Sequence, residues 1–356
     1  MAMDITFLIG NGFDVGLGMA TTFKDFFPVY YAKSRNKNAN IRALSEKICD
    51  DEDTWSYFEK QLGQYSSEFD ANTASNFFAQ INDFTSEFME YLHHQEDRLS
   101  YSDTSLISKT ITSALTSFYS PEILHVQSSK RVSAVFQKFS NEEHRISFVS
   151  FNYTDTLEKC LATLKDGIVQ VRKHGSIPRS DRVGQVVHVH GTRTQYPLMG
   201  VNDKTQIANQ QFADKASLAE RLIKPHMNNR IRMGYAESAL SLINNSKIIC
   251  IYGMSLGMTD KDWWVRIMSW LCGDADRQLI IFNYDEKFNA SSPQNWFDKE
   301  DSIMALLAEY CKDTTISTET LRNRIHIAVH KNIFSMPLTA QSDRAWSEAL
   351  AMLQST

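Results

Sequence analysis

The sequence predicts an α/β protein: a doubly wound, mostly parallel sheet with a large α-helical insertion after the first strand. Three observations predict it. Apolar runs of strand length recur along the chain with helix-length segments between them, as parallel strands require. The first run, Ile5–Ile9, stops at Gly10-Asn11-Gly12, and glycine there lets the backbone turn sharply and leaves room for a close approach to the main chain. From about Ile41 to Phe139 the rhythm changes. Apolar residues then recur every three or four positions with few glycines or prolines, so roughly a hundred residues there read as helix.

In chain order, Met19–Phe27 opens a helix with polar residues and continues with aromatics. The helical stretch carries Trp55, Phe58, Leu62, Tyr65 and Phe69, then Phe77, Phe78, Ile81, Phe84, Phe88 and Leu92. Trp55 and Glu59 stand four apart, so one helix would present a core Trp and a solvated Glu on the same face. Strands resume at 145–151 and are followed by a helix over 156–164, which Thr154 or Asp155 could cap. Shorter strands are expected at 168–171 and 185–189, and residues 204–245 read as polar helix in which Pro225 breaks or starts an element. Further strands follow at 246–252, 277–282 and 324–329, with a helix from about Thr259 to Leu271 and a closing helix at 346–353. The division this implies is residues 1–30 with 140–356 as one α/β domain and 31–139 as the helical insertion.

Composition narrows the class. With 42% hydrophobic and 22% charged residues over 356 positions, the chain has the make-up of an ordinary globular protein. A formal charge of −5 and a pI of about 6.1 make non-specific nucleic-acid binding an unlikely role. Five scattered cysteines without a Cys-x-x-Cys pair argue against a disulfide framework and a structural zinc site. No apolar run is long enough to span a bilayer, and the N-terminus lacks a signal-peptide pattern. No membrane association and a cytoplasmic location are expected.

Five predicted strands end in glycine or polar residues: Gly10-Asn-Gly-Phe-Asp14, Phe151-Asn-Tyr-Thr-Asp155, His190-Gly-Thr192, Gly253-Met-Ser-Leu256 and Phe282-Asn-Tyr-Asp285. A parallel sheet gathers such ends along one edge, where ligands bind. Bland alternatives stand beside each. Gly10-Asn-Gly12 can be a tight strand-to-helix turn, Asp155 can be a helix cap, and Asn283 can close its strand with a side-chain turn. His188 and His190 alternate along one strand, which would let them share a face as a metal pair. No carboxylate clusters with them in the sequence, and no metal is expected.

Residues 10–26, from Gly-Asn-Gly-Phe-Asp to Lys-Asp-Phe, closely resemble the opening motif of the AbiH-type phage abortive-infection proteins. Ser150–Glu158, Val187–Gly191 and Leu198–Asp203 resemble that family's later motifs, in order. The series is also similar to the sirtuin-type, Rossmann-like NAD-binding fold. Gly10, Gly12 and Gly18 match its first nucleotide loop, Asn152 its ribose-holding Asn, and His190 its catalytic His. Gly253 and Ser255 match the later Gly-x-Ser turn, and Asn283 the Asn that reaches the adenosine ribose. Asp14 stands where sirtuins keep Ser, Ala20-Thr21 replaces proline-aspartate, and no four-cysteine zinc module is present. NAD binding or cleavage is therefore implied rather than protein deacylation.

On that resemblance, His190, Asn152 and Asp155 are the candidate catalytic residues. Gly10, Asn11, Gly12, Phe13, Asp14, Gly253, Ser255 and Asn283 are the candidate nucleotide-binding residues. The resemblance implies an antiphage protein that takes NAD, as substrate or ligand, and hydrolyses it to ADP-ribose and nicotinamide. Its rivals are a non-catalytic ADP-ribose or nucleotide sensor acting through a partner or oligomer, and a metal-dependent effector. A homo-oligomer and a phage trigger are the partners implied, with the helical insertion a natural place for a lid.

Overall fold

The computed structural model describes residues 2–55, 57–285, 288–289, 291–311, 317–336 and 338. The expected closing helix at 346–353 lies outside them. Seven strands form one mixed sheet: β1 (Ala2–Ile9), β2 (Glu143–Ser150), β3 (Ile168–His174), β4 (Ile177–His188), β5 (Ser246–Tyr252), β6 (Gln278–Asn283) and β7 (Ile325–Val329). Their order is β3-β4-β2-β1-β5-β6-β7. All neighbours run parallel except β3 and β4, a hairpin that turns at Gly175-Ser176 with Gly175 at φ +61°. The predicted strands are all present. β4 is longer than periodicity suggests, because its first half, Ile177–Arg182, is polar and pairs with β3 at the sheet edge.

β1 lies near the middle, between β2 and β5, with Phe7 opposite Phe148 on one side and Cys250 on the other. Its side chains alternate between two apolar layers, as a strand buried on both faces must. Met3, Ile5, Phe7 and Ile9 join one core with Phe118 and Val132. Leu8 joins the other with Val149, Ile251, Trp264 and Met268. Fully burying each large apolar side chain contributes about 1.5–3 kcal/mol, so burial on both faces lets β1 anchor the sheet.

The helices between β1 and β2 divide between two cores. Helices Thr104–Ser117 and Val126–Lys138 pack on the sheet, placing Ile107, Ile111 and Val135 in the Phe7 layer. Helices Phe23–Ser34, Ala39–Asp50, Phe58–Tyr65 and Ala74–Asp97 enclose a separate aromatic core. In it the Phe58 and Phe84 rings stack at 3.9 Å between centroids. Val201, Phe212 and Leu222, from the segment after β4, complete this helical body. The first helix starts at a capping box, with Thr22 and Asp25 each accepting the other's backbone N–H. No helix among the described residues is long and apolar enough to cross a membrane.

One local expectation fails. Trp55 ends the short helix Glu52–Trp55 and Glu59 belongs to the next helix, so the two do not share a helix face. Trp55 is buried as expected. Glu59 is not a solvated surface charge, because it turns inward onto Lys224.

Candidate functional site

Four of the five polar strand ends meet. A cavity of ≈ 460 Å³ opens where β1, β2, β4 and β5 finish, and Gly10, Asn11, Asp14, Asn152, His190, Gly253 and Ser255 all line it. The helical body supplies the facing wall with Phe23, Tyr57, Phe58, Glu59, Lys60, Phe88 and Leu92. Four other predicted residues lie outside the lining. Gly12 and Phe13 sit behind it, Phe13 buried against Tyr252 and Phe334. Asp155 precedes the helix Thr156–Leu161, and its backbone N–H donates to Glu96 at 2.7 Å. Asn283 ends β6, where its Oδ1 is buried without a partner.

Packing between two loops explains the glycines. A Cβ on Gly10 would fall 2.4 Å from Met254 Cγ, and one on Gly12 would fall 2.5 Å from Gly253 Cα. Gly253 itself holds φ +67°, a left-handed conformation that glycine adopts freely. The loops are tied by Gly10 N–H donating to the Tyr252 carbonyl (2.9 Å) and Gly12 N–H to the Gly253 carbonyl (2.8 Å). Those two amides are therefore committed within the fold. The Asn11 side chain pins the following loop, accepting from Thr21 Oγ1 at 2.6 Å and donating to the Thr21 carbonyl at 3.1 Å.

Asp14 and Asn152 are fixed on one side only. Asp14 is 1% exposed, its Oδ2 accepts from Thr154 Oγ1 at 2.7 Å, and its Oδ1 has no partner. Burial pushes its carboxyl up to about 7, against the lowering effect of the Thr154 hydrogen bond. The Asn152 amide donates from Nδ2 to the Gly10 carbonyl at 3.2 Å, and its Oδ1 is likewise buried and unpaired. An unpaired buried polar atom costs about 1–3 kcal/mol, and these two line the same cavity.

His190 meets charges that the sequence did not reveal. Its Nε2 lies 3.3 Å from Asp260 Oδ1, and the Lys224 ammonium lies 2.9 Å from that same oxygen and 2.8 Å from Glu59 Oε2. Burial favours a neutral Asp260, yet the Lys224 charge and the His190 contact hold its carboxyl well below the usual range. Lys224 is raised despite its burial, by Asp260 and Glu59. No spacing pattern announces this cluster, since its members are 59, 190, 224 and 260. The available signal was Lys224 followed by Pro225: proline at the first helical turn fixes a helix start there.

His188 does not join His190. Its Nδ1 meets the Asn152 carbonyl at 2.8 Å and its Nε2 the Glu158 carboxylate, which raises it above the ordinary histidine value against the effect of burial. Among the described residues no group of three or more His, Cys, Asp or Glu is placed to hold a metal. Glu96, another residue without a sequence signal, is fully buried at the end of the long helix. It accepts from Arg193, Lys159 and the Asp155 backbone, tying the helical body to the strand ends.

No curated protein matches the chain. The family model described as bacteriophage abortive infection AbiH matches residues 6–282, which takes in the second half of β1, the helical body and every cavity-lining residue. The chain belongs to the AbiH family of bacteriophage abortive-infection proteins.

Proposed function

We propose that this abortive-infection protein binds NAD⁺ or a related adenine nucleotide in the strand-end cavity, within a doubly wound, sirtuin-like sheet, and hydrolyses NAD⁺ to ADP-ribose and nicotinamide. One observation carries the proposal. Asp14 Oδ1 and Asn152 Oδ1, both buried and unpaired, line with His190 one cavity at the carboxyl ends of neighbouring parallel strands. Unpaired acceptors suit the hydroxyls of a sugar, and ≈ 460 Å³ lies within the usual range of small-molecule sites. The strand order supports the same view. Without β3 the parallel strands run β4-β2-β1-β5-β6-β7, which reverses direction between β1 and β5, and doubly wound sheets bind ligands at such a switch point.

The chain's own groups suffice for water attack. Asn152 Oδ1 and Asp14 Oδ1 accept hydrogen bonds from ribose hydroxyls and fix the sugar. With its Nε2 turned to Asp260, His190 has Nδ1 left to take a proton from the attacking water. The glycosidic bond breaks toward nicotinamide, and the apolar wall of Phe23, Phe58, Phe88 and Phe151 keeps stray solvent from the ring. Asp14, with a carboxyl near 7, can accept or donate at neutral pH.

Incubating purified protein with NAD⁺ and following nicotinamide release tests the proposal. Release that is lost in His190→Ala is the expected result. Saturable binding without release would move the function to a nucleotide sensor, and neither binding nor release would remove NAD from the account.

A further inference from the structure

We infer that Asp260 is the residue that positions His190, and that Glu59 of the helical body completes this positioning through Lys224. Both residues line the cavity with His190. The inference rests on the role proposed above for His190 and adds the groups that set its protonation.

The geometry points one way. Asp260 Oδ1 faces His190 Nε2 at 3.3 Å. A carboxylate accepts only, so this contact favours the neutral imidazole with its proton on Nε2, which leaves the Nδ1 lone pair free. Lys224 competes for the same oxygen from 2.9 Å, and Glu59 draws it back from the other side at 2.8 Å. Glu59 is itself steadied by the Gly200 backbone N–H at 3.3 Å. The ammonium therefore stands between two carboxylates rather than capturing Asp260 alone.

Charge counting gives the consequence. Two carboxylates against one ammonium leave the cluster one negative charge in excess. The shared ammonium cannot neutralise both carboxylates, which leaves Asp260 an acceptor for the His190 Nε2–H. Tyr153 also faces the imidazole, with its ring 6.5 Å from that of His190, and burial keeps its phenol protonated. Phe151, at 5.2 Å, carries no charge. Glu59 belongs to the helical body while His190 and Asp260 follow sheet strands, so the base is fully set only when the two are seated together.

Nitrogen NMR on full-length protein labelled at histidine tests this without any ligand, with His190→Gln to assign the signal. In the wild type, neutral His190 is expected to hold its proton on Nε2. Asp260→Ala should abolish that preference, whereas Asp260→Asn keeps an acceptor and so keeps the tautomer. Glu59→Gln, nearly isosteric, should let Lys224 settle on Asp260 and so weaken the Nε2 preference. An Nδ1-protonated wild type, an unchanged tautomer in Asp260→Ala, or an unchanged tautomer in Glu59→Gln would each overturn the inference. Nicotinamide release on the same samples reads the underlying function separately. There Asp260→Ala should lower kcat about 100-fold with KM little changed. Correct tautomers with no release from the wild type would refute hydrolysis and leave the positioning intact.

Discussion

Asp14→Asn should stabilise the fold while emptying the site of function, and the effect should depend on pH. The Asp14 carboxyl stands near 7 against an ordinary 3.8. At 1.36 kcal/mol per pH unit, that difference amounts to about 4 kcal/mol. The folded state binds the proton more tightly, so between pH 4 and 7 it holds more protons than the unfolded chain. Stability from this group is complete below about pH 4 and is lost as pH rises through 7. Asparagine never ionises, and its carbonyl can still accept from Thr154. Allowing about 1 kcal/mol for the amide hydrogens placed in the cavity, the variant should be more stable by about 3 kcal/mol at pH 8.5. For 356 residues that corresponds to a melting temperature about 4 °C higher. Thermal melts of both proteins from pH 4 to 8.5 would show the gap opening with pH. A constant difference, or a variant less stable at pH 8.5, would refute the claim that burial of this carboxylate is a strain held for function.

Other expectations follow from the same contacts. Gly253→Ala would place a Cβ 2.6 Å from the Phe13 nitrogen at φ +67°, where neither backbone can yield. Gly18→Ala is also left-handed, at φ +86°, but meets nothing within 4 Å. The second should cost about 1–2 kcal/mol and the first clearly more, as paired melts would show. Glu96→Gln leaves Arg193 and Lys159 without their buried carboxylate. It should cost about 3 kcal/mol and expose the helical body to limited proteolysis. Asp181 accepts from Arg172 at 2.7 and 2.8 Å and from Gln170 at 2.8 Å, with His144 3.4 Å away. Burial alone would raise its carboxyl, but these partners hold it well below the usual range. Its stabilisation is therefore present above about pH 4 and lost on acidification below that. Asp181→Asn should be less stable at pH 7, with a gap that starts to narrow below about pH 4 and closes only under strongly acid conditions, measured by denaturant unfolding.

The sheet was legible because buried parallel strands write themselves as apolar runs, and Ile5–Ile9, Ile248–Tyr252 and Leu279–Phe282 sit inside it as expected. The polar half of β4 was not legible, since an edge hairpin needs no apolar face. Helical periodicity identified the long helices but not where one helix breaks into the next, so Trp55 and Glu59 looked like neighbours on one face. In the site, residues beside a strand end could be found from a motif: Asn152, His190, Asp14. Asp260, Lys224, Glu59 and Glu96 could not, because each is matched to a partner distant in sequence, and a paired buried charge looks in sequence like any surface charge. The glycines carry a different lesson. Gly10 and Gly12 were read as room for a ligand, and the atoms that need that room belong to Met254 and Gly253.

The most direct test of the account is calorimetric titration of NAD⁺ into the wild-type protein and into Asn152→Ala. Asn152 Oδ1 is buried, unpaired and part of the cavity wall, so its removal should weaken sugar recognition without disturbing the sheet. The account predicts saturable binding to the wild type, with an affinity lost or reduced at least tenfold in the variant while its melting curve stays close to the parent's. Equal binding by the two proteins, or no saturable heat from the wild type, would contradict the assignment of this cavity to a nucleotide.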